Sequence, residues 1–121
     1  MATMFMSDYV IWHNPRCSKS RQTLALLQDH GIEPEDLRYL ETPPSKQQIK
    51  DVLKKLGIPA INLVRCGERA FKELALSKDA SEAELIDAMS KYPVLIERPV
   101  VIRGDRAVLG RPPENVLNLI D

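Results

Sequence analysis

What the chain has little of narrows its function first. Two cysteines in 121 residues, Cys17 and Cys66, are too few for a disulfide scaffold. Residues Met1 to Ser7 have neither a basic start nor a long apolar stretch, so no secretory signal is expected and a reducing cytoplasm is the expected compartment. In that setting a thiol is catalytic, metal-bound or simply buried. No apolar run approaches the roughly 18 residues of a membrane helix, so no membrane partner is expected. Charge of one sign is missing as well: 17 basic residues balance 17 acidic ones. No global field therefore exists to hold a polyanion such as nucleic acid, and any anion chemistry must be local. There is no internal repeat, low-complexity segment or Gly/Ser linker. What remains, 44% hydrophobic and 28% charged residues over 121 positions, suits one domain spanning 1–121, with residues 1–7 as a loose N-terminal tail.

The pattern of residues reads as α/β. Tyr9-Val10-Ile11-Trp12 is a short β-branched and aromatic run broken before Pro15, which predicts a largely buried strand. A helix follows Cys17, with Leu24, Leu26 and Leu27 in its apolar stripe and Gly31 as a left-handed stop. Leu37 to Leu40 is the next expected strand, making a parallel βαβ unit with a right-handed crossover. Ser45 with Gln48, and Ser81 with Glu84, are capping-box pairs. The first precedes Ile49, Val52, Leu53 and Leu56 and ends at Gly57, and the second precedes Leu85, Ile86 and Met89. Between them, residues 58–76 read as two short helical pieces around Arg65 and Cys66. Val100 to Ile102 and Ala107 to Leu109 flank Gly104-Asp105, where glycine at the first central position favours a type II′ hairpin. Pro112-Pro113 opens a last short helix with Val116, Leu117 and Ile120 as its apolar residues. The expected architecture is a four-stranded mixed sheet, βαβ, a helical insert, then ββα, with four to six helices.

The segment from His13 to Arg21 carries the chemistry. It places Cys17 at a helix N-terminus, where unpaired N–H groups and the helix dipole favour an anion and Arg16, Lys19 and Arg21 add positive charge. Free cysteine titrates near about 8.5, and such surroundings lower that to about 3.5–7.5. Cys17 is therefore expected to be a nucleophile at neutral pH; the competing reading, a small buried hydrophobe, fits poorly with so many polar and basic neighbours. A tyrosine-phosphatase-like loop needs an arginine six positions after its cysteine, where this chain has Thr23. A dithiol motif needs a second cysteine at Ser20, so the resolving thiol should come from outside. A zinc site from His13, Cys17, His30 and Cys66 has no recognised spacing.

These residues carry a resemblance. The segment from Tyr9 to Ile120 resembles the glutaredoxin-type, thioredoxin-fold arsenate reductases, through His-Asn-Pro-x-Cys-x-x-Ser-Arg at 13–21, Tyr39-Leu40-Glu41-x-Pro-Pro at 39–44, Leu63-Val64-Arg65, Arg98-Pro99-Val100-Val101 and Gly110-Arg111-Pro112. The resemblance implies a thioredoxin-like fold in which the Cys17 thiolate attacks arsenate. It also implies that Arg65, Arg98 and Arg111 hold the oxyanion, that His13 and Ser20 support the thiolate, and that Pro99 is a cis-proline facing the cysteine. Glutathione is then the co-substrate and glutaredoxin the recycling partner, with no bound metal or other cofactor and a monomeric chain. Most of the nine arginines should be solvated surface charges. Arg98, before a proline at a strand start, and Arg111, between a strand end and a helix, stand at loop positions where functional side chains concentrate. Planar guanidiniums suit a tetrahedral oxyanion because they bind it through paired, charge-assisted hydrogen bonds.

Three residues have simpler readings beside these. His13 can pack under the loop, Ser20 can cap the helix, and Cys66 is expected to be a spectator thiol. Two other functions fit parts of the pattern. One is a glutathione-dependent thiol reductase or deglutathionylating protein using the same thiol. The other is a regulator resembling Spx, which shares the fold and binds RNA polymerase; its Cys-x-x-Cys switch is absent because Ser20 occupies the second position.

Overall fold

The computed structural model describes residues 8–120; the expected N-terminal tail lies outside them. The sheet contains four strands: β1 (Tyr9–Trp12), β2 (Glu35–Leu37), β3 (Val100–Arg103) and β4 (Arg106–Leu109), in the spatial order β2-β1-β3-β4. β1 pairs parallel with β2 and antiparallel with β3, and β3 pairs antiparallel with β4. The α-helices are α1 (Ser18–Asp29), α2 (Lys46–Leu56), α3 (Arg69–Glu73) and α4 (Glu82–Lys91), with 3₁₀ turns at Ala60–Asn62, Pro93–Leu95 and Pro113–Leu119. The mixed sheet and the order of elements are those expected. The chain divides into two compact units, one formed by the segments up to Arg38 and from Arg98 onward, the other by Tyr39–Glu97.

The local signals act as the residues dictate. Ser45 Oγ accepts from the Gln48 amide at 3.1 Å while Gln48 Oε1 accepts from the Ser45 amide at 2.8 Å, and Ser81 and Glu84 repeat the exchange. Each pair satisfies two helix-end donors at once. Gly57, at φ 69°, adopts the left-handed conformation that ends α2, and its N–H donates to the Leu53 carbonyl at 2.8 Å. Gly104, at φ 60°, is the only one of its hairpin's two central residues in the left-handed region, as a type II′ turn requires.

Three details differ from the expectation. β2 ends at Leu37 instead of beginning there. Its pairing runs Val10 with Glu35 to Trp12 with Leu37, and the His13 N–H donates to the Leu37 carbonyl at 2.8 Å, so β1 offers no partner beyond that point. As an edge strand, β2 tolerates the exposed Glu35 and Asp36 that hide it from a hydrophobic pattern. The last helix is 3₁₀ throughout, so the buried residues fall three apart at Pro113, Val116 and Leu119, leaving Leu117 40% exposed. Pro93–Leu95 adds a turn beyond the helices anticipated.

In the first unit, Tyr9, Ile11, Leu27, Val101, Val116 and Leu119 form one core cluster, with Leu24, Leu26, Ile32, Val108 and Ile120 packed against it. Burying each such large apolar side chain contributes about 1.5–3 kcal/mol, which fixes α1 against the sheet. In the second, α2 packs on α4, and Ile49, Val52 and Leu53 of the one and Leu85, Ile86 and Met89 of the other are buried. The Ala60 amide donates to Glu82 Oε1 at 2.9 Å, joining the turn after α2 to the start of α4.

Candidate active site

β1 carries the chain to His13, and a short loop turns it into α1. Asn14 organises that loop: its carbonyl accepts from the Cys17 amide at 3.0 Å and its Oδ1 accepts from the Arg16 amide at 3.0 Å. The second bond is an Asx turn, which asparagine forms because its side chain mimics a backbone carbonyl. Arg21 Nη1 donates back to the Pro15 carbonyl at 3.0 Å, bracing the loop from the first turn of the helix.

Cys17 is the N-cap residue of α1, with extended backbone at φ −93° and ψ 123°. Its side chain makes no cap hydrogen bond of ordinary length. Burial pushes the thiol up, but the Ser20 amide, the Arg98 charge, the Lys19 amide and a hydrogen bond from the Arg98 side chain together outweigh it, so the net shift is downward. The cause is the one expected at a helix N-terminus, strengthened by a cation from a distant segment.

Beneath the loop, His13 is 4% exposed and Ser20 is fully buried. Ser20 Oγ accepts from the Asn14 amide at 3.0 Å and meets His13 Nδ1 at 2.6 Å. Desolvation is the main reason the His13 pKa falls below its ordinary 6.5; Arg38 and Arg21 add to the fall and Asp36 opposes it. His13 is thus neutral at pH 7, one partner in a buried hydrogen bond that shapes the loop.

Arg98 arrives from the start of β3. Its peptide bond to Pro99 is cis, as is that between Arg111 and Pro112. Among the described residues, Arg98 Nε is the one buried side-chain nitrogen or oxygen without a hydrogen-bond partner. Leaving such a donor unsatisfied costs about 1–3 kcal/mol, a cost that an oxygen ligand would remove. Arg111 Nη1 donates to the Arg98 carbonyl at 3.2 Å.

The structure therefore joins Cys17 to Arg98 and Arg98 to Arg111, with His13 and Ser20 paired under the loop. Arg65 belongs to the second unit, where its amide donates to the Leu95 carbonyl at 2.7 Å and its Nη1 pairs with Glu68 Oε2 at 2.9 Å. Cys66 is a free, half-buried thiol whose Sγ lies 3.8 Å from the Val64 carbonyl. Among the described residues, no three His, Cys, Asp or Glu side chains gather as a metal site, and no helix is long and apolar enough to cross a membrane.

Sequence reasoning missed Asn14 and Arg21 as loop braces and Thr23 as a contact of Gly110. The Thr23 hydroxyl lies 2.8 Å from the Lys19 carbonyl and 3.4 Å from that of Gly110. The one available signal was a polar, β-branched residue on the buried face of a helix, in line with Ser20.

The chain is 47% identical to an arsenate reductase of Haemophilus influenzae over 113 residues, 92% of this chain and 97% of that protein. It is 50% identical to the Escherichia coli K12 protein YfgD, itself uncharacterised, over 112 residues, 91% of this chain and 94% of that one. The solved structure of an arsenate reductase from Vibrio cholerae superposes with a TM-score of 0.89 at 46% identity, covering 93% of this chain and 97% of the other. The fold is thus the thioredoxin-like α/β arrangement of such proteins. A profile of the ArsC family matches residues 12–119, and the chain belongs to the ArsC family.

Proposed function

We propose that this protein is an arsenate reductase that uses Cys17 as its nucleophile and glutathione as its reductant. One observation carries the reading: Arg98 sits at the Cys17 sulfur with a buried Nε that has no acceptor among the described residues. A thiolate beside a guanidinium with a spare donor suits attack on a bound oxyanion. Arg111, tied to the Arg98 carbonyl, supplies a second guanidinium, and the family resemblance adds Arg65 as a third.

In this reaction the Cys17 thiolate attacks arsenic, forming a sulfur–arsenic bond as an arsenate oxygen leaves as water. Glutathione attacks the adduct. Over the cycle two thiols become one disulfide, arsenic(V) takes up their two electrons, and the products are arsenite and water. Because Ser20 stands where a dithiol motif has its second cysteine, the resolving thiol comes from solution, and glutaredoxin returns the disulfide to thiols. His13 and Ser20 shape the loop under the thiolate, and Pro99 supports Arg98. The protein works in the cytoplasm as a monomer, without a bound metal or other cofactor.

The test is arsenate-dependent NADPH oxidation in the presence of glutathione, glutaredoxin and glutathione reductase, comparing wild type with Cys17→Ser and Arg98→Ala. Turnover by wild type, abolished in Cys17→Ser and strongly reduced in Arg98→Ala, is the expected result. Wild-type turnover no faster than the enzyme-free control would overturn the proposal, and turnover only with another thiol system would replace the reductant.

A further inference from the structure

The five glycines do different work. Gly31, Gly57 and Gly104 have positive φ, and a Cβ built on any of them meets nothing within 4 Å. Gly67 also faces open space. Gly110 is the reverse: it is buried, it makes no left-handed demand on the backbone, and a Cβ there would lie 2.5 Å from Thr23 Oγ1, 2.8 Å from Pro99 Cγ and 3.0 Å from Thr23 Cγ2. Real Cβ atoms do not approach neighbours so closely, so the missing side chain at 110 is a matter of space.

Both neighbours lead to the proposed site. Thr23 is fully buried on α1, and its hydroxyl lies 2.8 Å from the Lys19 carbonyl, in the helix turn whose amides face the Cys17 sulfur. Pro99 follows Arg98, and its carbonyl accepts from the Gly110 amide at 2.9 Å. The residue after Gly110 is Arg111, whose Nη1 reaches the Arg98 carbonyl at 3.2 Å. Residues 110–111 are therefore fastened twice to residues 98–99, on one side, and lie against α1 on the other. Closely packed interiors transmit such displacements instead of absorbing them.

We infer that Gly110 is a positioning residue for the oxyanion site: its bare backbone lets α1, the Arg98-Pro99 segment and Arg111 close on one another, which sets the guanidiniums against the nucleophile. The inference rests on the arsenate reading for its substrate, though the geometry itself concerns only how the arginines and the thiol are held together. A methyl group at 110 must move Thr23, Pro99 or Gly110 itself. Thr23 is anchored by a whole helix and cannot yield easily. Removing the Thr23 side chain takes away two of the three close contacts, leaving a proline ring atom that can shift by changing its pucker.

The experiment uses four proteins, each carrying Cys66→Ser so that one thiol is titrated: the parent, Gly110→Ala, Thr23→Ala and Gly110→Ala/Thr23→Ala. Thiolate absorbance at 240 nm gives the apparent Cys17 pKa, arsenate turnover gives kcat and KM, and thermal unfolding reports folding. Gly110→Ala is expected to raise KM for arsenate at least about tenfold, the scale of a displaced binding group, and to move Cys17 toward the value of free cysteine. The double variant is expected to return both toward the Thr23→Ala reference. A parental KM and pKa in Gly110→Ala would overturn the inference. So would a double variant that melts like Thr23→Ala yet keeps the raised KM and pKa. If Gly110→Ala does not fold, the double variant decides: a folded protein with the pKa of Thr23→Ala supports the clash, and failure of both to fold refutes it. A parent that titrates normally but does not turn over arsenate defeats the substrate assignment alone, since the pKa comparison still judges the positioning.

Discussion

The guanidinium of Arg111 donates from Nη1 to the main-chain carbonyl of Arg98 at 3.2 Å, while the Arg98 side chain turns to the sulfur of Cys17. One arginine thus holds the backbone from which the other reaches the nucleophile. Their roles are consequently unequal, and separate substitutions should show it.

Arg98→Ala removes both a charge and a hydrogen bond from the Cys17 thiolate. The apparent Cys17 pKa, read from thiolate absorbance in a Cys66→Ser background, should rise. A charge-assisted hydrogen bond is worth about 1.5–3 kcal/mol, so kcat/KM for arsenate should fall about 10- to 150-fold. Arg98→Lys should recover part of the pKa effect and less of the turnover, because an ammonium lacks the planar fork. An unchanged pKa in Arg98→Ala would contradict the contact on which the site is built.

Cys66→Ser should keep arsenate turnover within about twofold of wild type, since surface and spectator changes rarely exceed about 0.5 kcal/mol. The same variant should show a single titration below the range of free cysteine, belonging to Cys17. Loss of turnover would give Cys66 a place in the reaction that its 3.8 Å contact with the Val64 carbonyl does not suggest.

His13 gives the fold a pH dependence of definite sign. Burial holds its pKa below the ordinary 6.5, so between those two values the unfolded chain binds a proton that the folded chain refuses. The stability associated with neutral His13 is fully present above about pH 6.5 and is lost as pH falls through that window, at up to about 1.4 kcal/mol per pH unit for one proton. Urea unfolding of wild type and His13→Gln at pH 7.5 and 5.5 should show the larger acid-side loss in wild type. Equal losses in the two proteins would mean that His13 does not titrate differently in the fold.

Ala75 occupies a left-handed position at φ 57° after α3. The Leu76 amide donates to the Phe71 carbonyl at 3.1 Å and the Ala75 amide to the Lys72 carbonyl at 2.9 Å, the pairing that commonly carries glycine at this place. A Cβ costs about 1–2 kcal/mol in that conformation, and glycine returns some of it through greater freedom in the unfolded chain. Ala75→Gly should therefore raise the thermal midpoint by about 2–4 °C. A midpoint lowered by the substitution would show that the turn is set by packing of the Ala75 methyl.

How much the chain announces on its own depends on the distance over which each feature is decided. Helix caps at Ser45 and Ser81, the stop at Gly57, the turn at Gly104 and the placement of Cys17 at a helix start all rest on groups within a few residues of one another, so residue type and spacing determine them. The bounds of β2 escaped because an edge strand is defined by its partner: Glu35 and Asp36 join the sheet through pairing with β1, not through any pattern of their own. The winding of the last helix escaped because 3₁₀ geometry moves burial from Leu117 to Leu119, a shift of two positions that the identity of neither leucine reveals.

The candidate site divides in the same way. The sequence by itself determined that a cysteine would sit among helix amides with basic neighbours, since capping and the helix dipole are local, and its motifs pointed to the arginines. Only the tertiary structure decided that Arg98 would be the cation at that sulfur, that Arg111 would grip Arg98, and that Gly110 would lie against Thr23, 87 residues away. Those contacts follow from β3 pairing between β1 and β4, which brings the ends of distant segments to the start of α1. A close approach of that kind is a property of the packed sheet and helix together, and no single segment carries it.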